Sequence, residues 1–177
     1  MAVYEKPKKR CQMKEYLVFS DAHGDSHSME KVISSHPQIK DVLFLGDGVS
    51  ALHSLYIRFP DRRFLAVKGN CDIFSVCSMG ECVAQDEVIE VEGHRILLTH
   101  GHTYSVKSSL MPLAKRAVEI GCDIVLFGHT HVYTERYETV LNTQISLFNP
   151  GSIGDYNGSY GILHINGSNV LFSQGVI

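Results

Sequence analysis

The stretch Tyr16-Leu17-Val18-Phe19-Ser20-Asp21-Ala22-His23-Gly24 sets the pattern that the rest of the chain repeats. Its first half is short, evenly apolar and rich in branched and aromatic side chains, which reads as a strand covered on both faces. Its second half abruptly presents a carboxylate and an imidazole beside a glycine. Four more apolar runs follow the same plan: Val42–Leu45 before Gly46-Asp47-Gly48, Arg63–Val67 before Gly69-Asn70-Cys71-Asp72, Ile96–Thr99 before His100-Gly101-His102, and Ile124–Phe127 before Gly128-His129-Thr130-His131. Ligands of α/β proteins gather at the carboxyl ends of strands. Glycine lets the backbone turn there and lets a bound group come close.

Between these runs lie helical patterns. Leu110, Leu113, Ala114, Ala117 and Val118 form one apolar stripe, so a helix is expected over Val106–Ile120, stopped by Gly121. Shorter helices are expected over Ser28–Ser35 and Val49–Phe59. Glu92-Gly93-His94 separates Val88–Val91 from Arg95–Leu98, and Asn166-Gly167 separates Gly161–Ile165 from Val170–Phe172; both read as hairpins. The order implies an α/β fold of two packed sheets with helices outside.

The chain has 177 residues, which suits one domain with one core. No repeat or linker divides it. Met1 to Gln12 holds Lys6, Pro7, Lys8, Lys9 and Arg10 without periodicity and reads as a flexible basic extension, leaving 13–177 as the single domain. A formal charge of −3 gives no bulk positive field, which argues against non-specific nucleic-acid binding but not against a small phosphate ester. Five scattered cysteines (Cys11, Cys71, Cys77, Cys82 and Cys122) show no CxxC spacing, and no apolar run is long enough to span a bilayer. A reducing, cytoplasmic setting is expected. The sequons at Asn157 and Asn166 read as Asn-Gly turns.

Any one of these loop motifs is ordinary turn chemistry; five in order, each ending an apolar run, are not. Imidazole, carboxylate and amide donors suit Mn²⁺, iron, Zn²⁺ or Ni²⁺. Seven such donors exceed what one ion needs. The set resembles the calcineurin-like metallophosphoesterase superfamily, whose motifs are D-x-H, GD, GNH[DE], H and GHxH. It is most similar to the small single-domain bacterial and archaeal phosphodiesterases, which share Gly-Asn-Cys-Asp, His-Gly-His and a late Asn-Pro-Gly-Ser, here Asn149-Pro150-Gly151-Ser152. The likeness covers roughly residues 13 to 165.

That resemblance implies a four-layer α-β-β-α sandwich of two mixed sheets flanked by helices. It also implies two divalent metal ions, with Mn²⁺ expected: Asp21, His23 and His131 would hold one, Asn70, His100 and His129 the other, and Asp47 would bridge them. The expected activity is hydrolysis of small phosphodiesters by a hydroxide activated between the metals, with no protein nucleophile. Cys71 stands where the wider superfamily has a histidine beside the leaving group. As a weak donor it is a candidate catalytic residue with a narrowed role, or a small space-filler facing the pocket; His102 is another candidate proton donor. Asp72 is a candidate, by position, for orienting the histidines. A rival reading is a protein-interaction scaffold on the same fold, as in a retromer subunit where ligand positions have decayed; all seven positions are competent here. A nuclease or cyclic-nucleotide diesterase would share the metal core. No membrane partner is expected, and dimers or tetramers occur among similar proteins.

Overall fold

The computed structural model of the chain describes residues 13–72 and 83–177. The basic extension, Cys11, Cys77 and Cys82 lie outside the described residues.

In chain order the elements are β1 (Lys14–Phe19), α1 (Ser26–Ser35), β2 (Asp41–Phe44), α2 (Leu52–Arg58), β3 (Arg63–Ala66), β4 (Asp86–Val91), β5 (His94–Thr99), α3 (Met111–Glu119), β6 (Ile124–Leu126), β7 (Thr134–Val140), β8 (Thr143–Asn149), β9 (Ser159–Asn166) and β10 (Asn169–Val176). One sheet has the order β10-β9-β1-β2-β3 and the other β4-β5-β6-β8-β7. In the first, β1, β2 and β3 are parallel; in the second, β5, β6 and β8 are. Antiparallel strands complete each sheet, so both are mixed.

Side chains alternate across a strand, and that alternation builds the layers. Leu17 and Phe19 of β1 face outward against Met29, Val32 and Ile33 of α1 and Leu52 and Leu55 of α2. Val18, between them, points into the interface of the sheets, with Leu43, Leu45, Ile96, Leu98, Ile124, Leu126 and Phe148. On the far side Leu113, Ala114 and Ala117 of α3 cover Leu97, Val125, Phe127 and Leu147. The result is the four-layer α-β-β-α sandwich. The apolar runs are continuous because each strand is covered on both faces, and each fully buried Leu, Ile or Phe contributes about 1.5–3 kcal/mol.

Two elements depart from the sequence expectation. The third helix starts at Met111, not Val106, with Pro112 in its first turn. Proline lacks an N–H and has a preset φ, which suits a helix start and not its interior. Val106 is buried all the same, from the preceding turn. The segment from Thr134 to Asn149 is a hairpin, β7–β8, whose turn is Leu141-Asn142, both with positive φ (50° and 64°). Leucine is a poor marker for such a turn, which hid it.

Candidate metal centre

Parallel order places the ends of β1, β2 and β3 beside the ends of β5, β6 and β8, and the polar loops converge there. The β1 loop is tied to the β2 loop: Asp21 N donates to Gly46 O at 2.9 Å and His23 N to Asp47 O at 2.9 Å. Asp21 is fully buried. Its Oδ2 accepts from Ser20 Oγ at 2.6 Å and from His129 N at 3.0 Å, which links the β1 loop to the β6 loop. Asp47 Oδ1 accepts from Cys71 N at 2.7 Å. Gly69 permits this approach, since a Cβ there would overlap the Asp47 carboxylate.

Asp72 orients no histidine. Its carboxylate accepts from the backbone N–H groups of Asp47 (2.7 Å), Gly48 (2.9 Å), Val49 (3.0 Å) and Gly69 (2.8 Å). It is the buried peg that holds the β2 and β3 loops together.

Five of the seven predicted ligands sit in the left-handed backbone region: Asp21, His23, Asp47, His129 and His131, with φ between 46° and 69°. Non-glycine residues avoid that region, and such conformations persist where the surrounding structure enforces them, often at functional sites.

The ligand atoms form three groups, each with its atoms within 4.8 Å of one another: Asp21, His23 and His131; Asp47, His100 and His129; and His23, Asp47 and Cys71. Asn70 is exposed next to them, its Nδ2 donating to Cys71 Sγ at 3.3 Å.

Proton positions decide whether this cluster suits a cation. His100 is fully buried and its Nδ1 lies 2.8 Å from Leu45 O. A carbonyl only accepts, so Nδ1 carries the proton and a neutral ring leaves a lone pair on Nε2. That lone pair faces Asp47 Oδ2 at 3.4 Å and Asp21 Oδ1 at 3.9 Å. Among the described residues His100 Nε2 and Asp21 Oδ1 are buried without a hydrogen-bond partner. His131 Nε2, on a partly exposed ring, lies 3.2 Å from the same Asp21 Oδ1 and within hydrogen-bond distance, 3.3 Å, of His23 Nε2. Buried acceptors that face one another with no shared proton are costly, and a divalent cation between them resolves the cost. The donor set therefore fits metal ions.

The electrostatics agree. Burial pushes the Asp21 carboxyl above its usual range, against the pull of Ser20, His100 and His131. Burial also raises Asp47, but the Cys71 N–H and His100 outweigh it and leave the group lowered. Burial and the neighbouring His100 and Lys107 push His129 down to about 4, so its ring is neutral and able to ligate at neutral pH. Cys71 is raised by its hydrogen bond to Asp47 and by burial, which keeps it a thiol. His102 is pushed down by burial and by His100, and its Nδ1 is buried without a partner. That makes it a poor store for a proton.

One contributor escaped the sequence reading. Both carboxylate oxygens of Asp155 lie 3.3 Å from His131 Nδ1. Asp155 follows Asn149-Pro150-Gly151-Ser152 by only a few residues, but no spacing rule singles it out.

A two-sheet sandwich with Asp and His donors crowded at its strand ends defines a metallophosphoesterase. The chain belongs to the calcineurin-like phosphoesterase superfamily, whose domain model matches residues 14–168. It is 34% identical over 140 residues to probable metallophosphoesterase YsnB of Bacillus subtilis, covering 77% of this chain and 73% of that one. A conserved Streptococcus pneumoniae protein, described as a predicted phosphoesterase, superposes with a TM-score of 0.71 at 25% identity over 94% of this chain and 99% of its own. Vacuolar Protein Sorting 29 of Cryptosporidium parvum shares the fold, with a TM-score of 0.70 at 18% identity over 93% of this chain and 99% of its own.

Proposed function

We propose that the chain is a two-metal phosphodiesterase for small esters, with Asp21, His23 and His131 holding one ion, Asn70, His100 and His129 the other, and Asp47 between them. The observation that carries the reading is the pair of buried acceptors without a hydrogen-bond partner among the described residues, His100 Nε2 and Asp21 Oδ1, which face each other at 3.9 Å with Asp47 Oδ2 3.4 Å from the same His100 nitrogen. When bound, the two cations would supply a hydroxide nucleophile at neutral pH and offset charge on the phosphoryl oxygens. Mn²⁺ is the ion we expect, with Zn²⁺, Ni²⁺ or iron as alternatives.

The chain's own residues then have separable tasks. Asp47, lowered despite burial, stays ionised, and the Cys71 N–H fixes one of its oxygens. Leu45 O fixes the His100 tautomer that offers Nε2. Cys71 is an exposed thiol beside His23 and Asp47, at the motif position where the resemblance puts a histidine near the leaving group. A thiol is a weak donor, so esters with good leaving groups are favoured. The residues from 13 onward act as one catalytic unit, residues 1–12 as a basic extension, and a cytoplasmic setting fits the free Cys71 and Cys122.

The completeness of the donor set supports catalysis over an interaction scaffold, which could dispense with it. Purified protein, stripped of metal and reloaded with one ion type at a time, should hydrolyse aryl phosphodiesters fastest with Mn²⁺. Asp47→Asn should lower kcat by ~10²–10³-fold, since metal clamping supplies several kcal/mol. Turnover that survives both chelation and Asp47→Asn would sink the assignment.

A further inference from the structure

Asn149-Pro150-Gly151-Ser152 leaves β8 at the same end of the sandwich as the other loops, yet it contributes none of the predicted ligands. Its hydrogen bonds show what it holds. Asn149 Nδ2 donates to Gly128 O at 2.8 Å and to Thr130 Oγ1 at 3.0 Å, gripping the β6 loop. Ser152 Oγ and Gly154 N donate to Asp21 O at 2.9 and 3.2 Å, and Ile153 N to Ser20 O at 3.0 Å, gripping the β1 loop. Asn149, Ser152 and Ile153 are buried. The segment bolts the two loops together, and the next residue in the chain is Asp155.

The bolt sets His131 between two carboxylates. Asp155 lies on the Nδ1 side, both oxygens at 3.3 Å. On the Nε2 side are Asp21 Oδ1 at 3.2 Å and His23 Nε2 at 3.3 Å.

We infer that Asp155 is a positioning residue: it holds the Nδ1–H tautomer of His131 and so aims the Nε2 lone pair at Asp21 and His23. A carboxylate accepts and does not donate, so the proton between the two groups resides on Nδ1. His100 achieves the same end with a neutral partner, Leu45 O. A carboxylate does more than a carbonyl, because it also makes the far nitrogen more basic. The nitrogen that His131 offers at the corner formed by Asp21 and His23 would thereby be the better cation ligand. This consequence rests on the two-metal reading above; the tautomer itself does not.

Asp155 is half-exposed, with 49% of its side chain accessible, so its loss should leave the fold intact and the two effects can be separated. Two measurements on the full chain test the inference. The first is long-range ¹H–¹⁵N NMR of the metal-free protein at alkaline pH. His131 should be the Nδ1–H tautomer in the wild type and a mixture in Asp155→Ala. The second is calorimetric titration with Mn²⁺. Asp155→Ala should weaken one of two sites by ~10–100-fold and leave the other unchanged. Asp155→Asn, whose amide oxygen can accept from Nδ1, should recover much of that loss, which a merely structural residue would not show. An unaltered tautomer together with unaltered Mn²⁺ affinities in Asp155→Ala would overturn the inference. A wild type that takes up no Mn²⁺ would sink the two-metal reading instead, and the tautomer measurement would still decide the role of Asp155.

Discussion

Asp72 and Cys71 are neighbours in sequence with opposite duties. Asp72 turns inward and satisfies four backbone N–H groups from two loops. Removing one acceptor would orphan all of them, so Asp72→Ala should cost about 3 kcal/mol, read as a lower urea midpoint. Cys71 is exposed and, among the described residues, its thiol is free of any disulfide, while its backbone N–H is fastened to Asp47. Cys71→His should therefore keep stability and shift the ratio of phosphodiester to phosphomonoester turnover. Equal ratios in the two forms, measured on matched aryl esters, would remove Cys71 from catalysis. Away from the site, two histidines are structural. His94 bridges Asp123, 2.5 Å from Nδ1, and Gly167 O, 3.0 Å from Nε2, while His164 pairs with Glu15 at 3.0 Å.

Among the elements, the β7–β8 hairpin is the least consistent with its own sequence. Leu141 is 83% exposed and has a positive φ, so it gains little from burial and carries backbone strain. Replacing Leu141-Asn142 by Asn-Gly should stabilise the protein by about 1 kcal/mol, or ~2–4 °C in Tm, with activity unchanged. The other two hairpins were legible because they are built on Glu92-Gly93 and on Asn166-Gly167, with Gly93 and Gly167 in the left-handed region. The parallel strands were legible from runs such as Leu17-Val18-Phe19, which are covered on both sides. The start of α3 was not, because the apolar stripe continues back to Val106, which is buried from a turn. Periodicity reports burial, not backbone state.

For the whole molecule, the candidate ligands were readable from motifs and the groups packed behind them were not. Asp21, His23, Asp47, Asn70, His100, His129 and His131 each stand in a motif, because chemistry restricts residue type and spacing within one loop. Asp155 and Leu45 support them from other loops, and only the tertiary arrangement brings those loops together. The buried acceptors also set the stability of the protein as a unit. Asp21→Asn would remove a buried charge and convert the orphaned Oδ1 into a donor. Without metal, this variant should be more stable than the wild type by about 1–2 kcal/mol. With metal present the order should reverse, since an ion at 100 times its Kd contributes about 2.7 kcal/mol to the form that binds it. Urea titrations of both proteins, with chelator and with Mn²⁺, would show the crossing; parallel behaviour would refute it.

The buried acceptors His100 Nε2 and Asp21 Oδ1 thus bear on more than chemistry. A polypeptide that is most fragile when empty opens more often in that state, and a protease captures the open form. Limited proteolysis should consume the stripped protein well before the loaded one. In a cell, the lifetime of this chain would then follow its metal supply, so that idle copies are cleared and working copies persist.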